Sequence, residues 1–242
     1  MFVTETTIIN LTGTRLEFPS YARGFAAMHD AMRRDAGRLV AAVLASPSDA
    51  AGRGAAGRGA AALARWFDHF EAVIEHHHRC EDEVVWPGLE GIIAAGGCGD
   101  EGSAFLDAHR RLLEDHQELD AAMAAVRTSL HVPSTVADRC AVARHFDVCL
   151  DAHLTREEAA VFPLLTAHVS AEQFAALEEG VVAMTPLKAF PFTLPWVLDG
   201  ASDDVIATVV DGLPLPIRAV NRLVFQPRYR RMVAAATGER AS

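Results

Sequence analysis

The sequence predicts an all-α protein: an up-down-up-down four-helix bundle followed by a C-terminal helical extension. Three observations lead there. Apolar residues recur at helical spacing through several long segments between about residues 21 and 168. Most connections between those segments are short, which favours antiparallel neighbours. The 21-residue stretch from His69 to Leu89 also returns 76 positions later as His145 to Leu165, with seven identities, the mark of an internal duplication.

The expected organisation is an arm over residues 1–20, a bundle over 21–169 and an extension over 170–242 that packs on the bundle. The arm is Thr-rich and β-branched without a helical period, and Pro19-Ser20 signals a helix start. From Tyr21 to about Leu44, Phe25, Met28, Met32, Leu39 and Val43 form one face and Arg33, Arg34, Asp35 and Arg38 the other. Pro47 to Ala60 is a Gly-Ala-Arg linker without the GxxxxGK[ST] pattern of a phosphate loop. A second helix is expected from about Ala61 to Ala95, kinked or interrupted at Pro87, and Gly96-Gly97-Cys98-Gly99 stops it. A third should run from about Ser103 to Leu130 and a fourth from about Thr135 to His168. Beyond them, Ser170-Ala171-Glu172-Gln173 is a capping box opening a helix to about Met184. Residues 185–197 read as a Pro-aromatic connection, Ser202 caps a short helix to Asp211, and Pro216 to Ala236 forms a basic last helix. Phe190, Phe192, Leu194, Trp196 and Val197 are the residues expected to hold the extension against the bundle.

Composition narrows the function classes. Half of the 242 residues are hydrophobic, enough for a sizeable core. No apolar run reaches about 18 residues and the first 20 residues lack a signal pattern, so no membrane association is expected and the expected compartment is the cytoplasm. Four cysteines without CxxC spacing indicate neither a zinc knuckle nor a disulfide framework. A formal charge of −10 opposes nucleic-acid binding. The six Arg and one Glu from Leu215 onward are expected to face the acidic body. The oligomeric state is not legible.

Both copies of the repeat hold His-x-x-x-Glu followed by Pro six residues after the Glu: His77, Glu81 and Pro87, then His153, Glu157 and Pro163. On a helix, residues four apart point about 40° from each other and lie roughly 6 Å apart along the axis, a geometry in which both reach one ion. Converging in a bundle core, these four side chains offer imidazole and carboxylate donors that suit iron, manganese or zinc. An exposed helix face rich in His and acid would explain neither the repeated spacing nor the repeated Pro. Counting levels along antiparallel helices adds His29 and His116, which face His77 and His153; His109 lies two turns from His116, at the level of Tyr21, and reads as structural or as part of a polar access path. His69 and His145 lie eight residues before His77 and His153, too far to share their metals.

A chain carrying His, His-x-x-x-Glu, His, His-x-x-x-Glu on four helices, with the runs HHRCEDEVVWPGL and HLTREEAAVFPLL, resembles the hemerythrin family in its HHE cation-binding branch. The resemblance covers about residues 21 to 168. It implies a four-helix bundle holding two non-haem iron ions, with His29, His77, His116 and His153 as terminal ligands and Glu81 and Glu157 bridging. Ferritin-like sites use Glu-x-x-His instead. Oxygen-carrying members have a further His one turn along the third helix, where this chain has Leu112 and Asp120. His78, about 60° from Glu81 around the helix against about 140° for His76, is the candidate for a fifth nitrogen, with a supporting or exposed position as the alternative.

The expected function is to bind, sense or react with O₂, NO or peroxide. Two His, two shared carboxylates and an oxo or hydroxo bridge give each iron five donors, and a place open at both irons favours onward reaction over reversible oxygen carriage. The rivals are a di-iron oxidoreductase or peroxide-decomposing enzyme, an iron storage or donor protein, and a bundle without metal. A pocket beside the irons large enough for an organic molecule would favour the enzyme.

Overall fold

The computed structural model describes residues 6–10, 15–46, 55–96 and 98–238. Two short strands, β1 (Thr6–Asn10) and β2 (Arg15–Pro19), pair antiparallel with Thr6 opposite Pro19 and Asn10 opposite Arg15. The arm thus forms a β ribbon, in keeping with its β-branched residues, and β2 packs on the bundle where Phe18 stacks on Phe162 with ring centroids 4.9 Å apart.

Among the described residues, all remaining regular structure is helical. α1 (Arg23–Ala45), α2 (Ala55–Cys80), α4 (Gly99–His131) and α5 (Val136–His168) are the long helices. They touch in the pairs α1–α2, α2–α4, α4–α5 and α5–α1, closing a ring. α2 starts at Ala55, inside the stretch read as linker, and most of that linker, 47–54, lies outside the described residues, as does Gly97 in the second connection. Thr135 caps α5 and Ser170 caps α6 (Ala171–Met184) through reciprocal capping boxes, which satisfy first-turn donors and fix both starts.

The interruption expected at Pro87 is a single π turn, Glu81–Val85, after which the chain continues as α3 (Trp86–Gly96). Trp86 N–H bonds the Glu81 carbonyl five residues back. Pro87 has no N–H and would press on the carbonyl four residues before it; one wider turn ahead of it relieves that clash while keeping the helix. The last helix repeats the device: α9 (Leu215–Val220) passes through a π turn at Asn221–Phe225 into α10 (Gln226–Thr237), whose second residue is Pro227. Pro163 sits inside α5 without a π turn. α6 braces the first π turn at close range, since a Cβ on Gly180 would stand 2.7 Å from Val84.

Residues 190–198, read as a connection, are helical: α7 (Phe190–Leu198) takes Pro191 in its first turn, where the missing N–H costs nothing. α8 (Asp203–Asp211) follows, capped by Ser202. α7 and α10 join the apolar core at the α1–α2 side, with Phe192, Leu194, Trp196, Val197, Tyr229 and Val233 buried against bundle residues such as Leu39, Phe70 and Val73. Phe190, also expected to pack there, is only half-buried. A polar clamp fixes this docking. Asp35 is fully buried and accepts hydrogen bonds from Arg34, Arg38 and the Trp196 indole at 2.8, 2.9 and 2.8 Å. Arg38 and Tyr229 both reach Asp199, at 2.8 and 3.0 Å. In the basic tail, Arg218 pairs with Asp211 of α8, within the extension, at 3.3 Å. No single helix is long and apolar enough to cross a membrane among the described residues.

The core is divided. One apolar cluster includes Leu39, Phe67, Phe70, Leu119 and Phe146; the other includes Phe18, Trp86, Phe105, Leu112 and Phe162. Along α1 and α4 the chain runs from the second cluster to the first, and along α5, and along α2 continued by α3, the reverse. Between them lies a polar layer.

The clamp makes two checkable expectations. Trp196→Phe keeps an aromatic ring but loses the pyrrole half of the indole with its N–H, leaving a buried Asp35 oxygen short of a donor beside a small cavity; urea unfolding should show a loss of at least about 1–3 kcal/mol at unchanged m. Burial raises the Asp199 carboxyl, but Arg38 and Arg34 overcome it and hold it below its ordinary 3.8. The unfolded chain therefore takes up this proton first, so the stabilisation is complete above pH 3.8 and disappears as pH falls through the folded value. Asp199→Asn should flatten that part of the stability profile in acid titrations.

Candidate metal centre

The polar layer is built by four helices. α1 supplies His29, α2 supplies His77 and His78, the π turn supplies Glu81, α4 supplies His116, and α5 supplies His153 and Glu157. All seven are buried, with His29, His153 and Glu157 fully so. They fall into two sets, His29, His77, Glu81 and Glu157 in one and His78, His116 and His153 in the other, and in each set the candidate ligand atoms lie within 4.8 Å of one another.

The two carboxylates join the sets. Glu81 Oε1 lies 2.8 Å from His77 Nε2, and its Oε2 lies 3.5 Å from His116 Nε2. Glu157 Oε1 lies 3.4 Å from His29 Nε2, and its Oε2 lies 3.4 Å from His153 Nε2. Each carboxylate therefore presents one oxygen to each half. Two donors at roughly 2.1 Å from a shared ion and at right angles would be about 3 Å apart, close to these separations.

The chemistry of the donors fits a cation. Nε2 of His29, His77, His116 and His153, both ring nitrogens of His78 and all four oxygens of Glu81 and Glu157 are buried without a hydrogen-bond partner. Leaving so many polar atoms unpaired in a core would cost several kcal/mol, and a positive ion satisfies them together. Burial pushes the Glu81 carboxyl up, yet His77 and His116 hold it well below the usual carboxylate range. Burial and the neighbouring His116 drive His78 well below the usual imidazole range, keeping it neutral with a lone pair to offer. Burial disfavours charge on His29, but Glu157 and Glu158 carry it up to about 10. A cation among the same carboxylates would take the place of that proton.

His78 is where the centre departs from a four-imidazole arrangement. Its ring stacks on His116 with centroids 4.1 Å apart and meets His153 edge-on at 5.2 Å. Five imidazoles gather, three in one half and two in the other, and the fifth comes from the residue beside His77 instead of from the third helix of the bundle. In the second copy of the repeat the position equivalent to His78 is Leu154, an apolar core residue. One substitution between the copies thus makes a paired site lopsided.

A supporting shell went unread in the sequence. Glu158 Oε1 lies 2.9 Å from His29 Nδ1 and is itself held by Arg33. Asp82, the equivalent position in the first copy, faces His116 Nδ1 at 3.2 Å. Asp115 faces His153 Nδ1 at 3.7 Å and takes hydrogen bonds from Arg156 and an ion pair from Arg111. Although burial raises the Asp115 carboxyl, His153 and Arg156 bring it down to about 2. The carboxylate bonded to His29 Nδ1 favours the tautomer that turns a bare Nε2 towards the centre, while Asp82 and Asp115 stand beside Nδ1 of His116 and His153 without completing a hydrogen bond. The signal was present in the sequence, because an acid follows the motif Glu in both copies, Glu81-Asp82 and Glu157-Glu158.

The other histidines stand apart. His69 stacks on Phe192, His145 contacts Cys149, and His76 bonds Thr185. His109 bonds Glu90 and stacks on Phe105, while the Tyr21 hydroxyl is directed at the Leu165 and Val169 carbonyls, so the two do not form a polar pair.

No curated protein and no solved structure matches the chain. The model of the hemerythrin HHE cation binding domain matches residues 22–165, more than half of its length, and that span holds all seven side chains of the centre. With the doubled His-Glu pairs brought together in a bundle core, the match is decisive: this chain belongs to the hemerythrin HHE cation-binding family.

Proposed function

We propose that the centre holds two iron ions and that the protein binds, and reacts with or senses, one small ligand of the class of O₂, NO or peroxide. The observation that carries this is the unequal sharing of donors. His29, His77 and one oxygen from each of Glu81 and Glu157 give one half four donors, while His78, His116, His153 and the other two oxygens give its partner five. For octahedral ions, whatever solvent-derived group the two share, the half of His29 and His77 keeps one more place for an incoming ligand.

Once bound, the iron pair would supply the electrons and the affinity for such molecules. The chain does the rest. Glu158 orients His29, and Asp82 and Asp115 lie beside His116 and His153; Arg33 balances Glu158, and Arg111 and Arg156 balance Asp115. Phe25 lies against the open half, its ring centroid 4.6 Å from that of His29 and 6.1 Å from that of His77, which favours a small apolar ligand and disfavours water. A cleft of about 510 Å³ does meet the centre, but it reaches His78 and His116, the half with fewer places to offer. That arrangement favours a small-ligand protein over an oxidase of organic substrates, and it weakens the expectation that both ions stand open.

Two measurements test the reading. Elemental analysis should find close to two iron atoms per chain. Glu81→Ala and Glu157→Ala should each empty both halves, and His69→Ala and His145→Ala should keep the wild-type content; full occupancy in either Glu variant would sink the bridging assignment. Titration of the anaerobic diferrous protein with NO should saturate at one equivalent per chain in the wild type and two in His78→Ala. Two equivalents in the wild type would remove His78 from the ligand set.

A further inference from the structure

The cleft that meets the three-imidazole half has walls unlike those of a substrate pocket. Glu71, Glu75, Asp82, Glu83 and Asp120 line it, and its floor is formed by His78 and His116. Two arginines also line it, but Arg127 pairs with Glu71 at 3.1 Å and Arg79 bonds His76 at 3.0 Å. Five carboxylates against two guanidiniums leave three negative charges around the cleft with its imidazoles neutral. At its base, His78 is 4% exposed, and neither ring nitrogen has a hydrogen-bond partner. An acidic mouth over a buried, unsatisfied lone pair is complementary to a cation, not to an anion or an apolar molecule.

We infer that this cleft is the port through which divalent metal ions reach the centre, the surface acids drawing the ion in and His78 with His116 receiving it. The inference rests on the metal-centre reading and adds a direction to it: cations enter from the three-imidazole side, whereas the ligand place lies on the opposite side, beside Phe25. Glu75, Asp82, Glu83 and Asp120 are exposed, so they retain water and hold an ion only in passing, while Glu71 is buried and held by Arg127. Asp82 stands between rim and floor, since it lines the cleft and also faces His116 Nδ1 at 3.2 Å. Fields of this kind raise the on-rate of a charged ligand by about 10- to 1000-fold and fade with added salt.

The test is the rate of metal uptake. Metal-free full-length protein is mixed anaerobically with Co²⁺, and uptake is followed by visible absorption in wild type, in Glu75→Gln/Glu83→Gln/Asp120→Asn, and in a charge-matched control, Glu172→Gln/Glu179→Gln/Asp203→Asn, whose acids lie on α6 and α8. None of the substituted residues belongs to the centre. The association rate should fall on the order of tenfold in the cleft variant, with a shallower salt dependence and an unchanged final stoichiometry, and stay at the wild-type value in the control. Equal rates in the cleft variant and wild type, or equal slowing in the control, would overturn the port. A wild-type protein that takes up no Co²⁺, Fe²⁺ or Mn²⁺ would overturn the metal centre itself, and the port with it.

Discussion

The interior of this protein depends on a layer of imidazoles and carboxylates that has nothing to bond to within the chain. Twelve donor and acceptor atoms from seven side chains meet there without hydrogen-bond partners, between two apolar clusters that fill the bundle above and below. Such a layer is tolerable only if something positively charged completes it, because burial makes unpaired carboxylates and unpaired imidazole lone pairs costly. The bundle cannot relax around them, since every long helix contributes at least one of the seven and each, α2 through its continuation α3, is anchored in both clusters. Packing on either side therefore holds the donors at ligand distance, a preorganisation that lowers the cost of binding an ion.

Much of the surrounding architecture serves that layer. The π turn begins at Glu81 itself, placing its carboxylate where the helix widens ahead of Pro87, and α6 lies against the same turn through Gly180 and Val84. Two of the acids outside the centre are paired with arginines that reach in from the surface, so that the charge of Glu158 and Asp115 is balanced before it bears on His29 and His153. The extension is fastened to α1 through buried Asp35, two residues beyond Arg33, which holds Glu158. Docking of the C-terminal helices and orientation of His29 thus share one stretch of α1.

The duplication gives the centre its near-symmetry, and its functional asymmetry comes from places where the copies differ. His77 and His153, Glu81 and Glu157, and the acids that follow them hold equivalent roles. His78 against Leu154 breaks the match, and so does the π turn before Pro87 against the regular helix around Pro163. The consequence is a centre with one half rich in imidazoles under an acidic cleft and another covered by Phe25. A pair of equal sites would offer neither a preferred side for the ligand nor a preferred side for loading.

Sequence alone determined the helical class, the boundaries of α5, α6 and α8 to within a residue or so, and the doubled pairs His77–Glu81 and His153–Glu157, because helical period, capping boxes and His-x-x-x-Glu spacing are local properties that a linear reading can count, whereas His29 and His116 needed levels matched between helices. The acids behind the imidazoles were equally local but hidden, since an Asp or Glu beside a ligand looks like surface charge until the neighbouring helix is in place. Only the tertiary structure decided which half His78 joins: a side chain some 60° from Glu81 can point into the core or along its edge, and His116 and His153 on other helices settle the matter. It also made a helix of 190–198, where two prolines and a run of aromatics read as a loop, because burial against α1 and α2 and the Asp35–Trp196 bond outweigh weak local propensity. Spacing fixes what one helix presents; which presentations meet is fixed by packing.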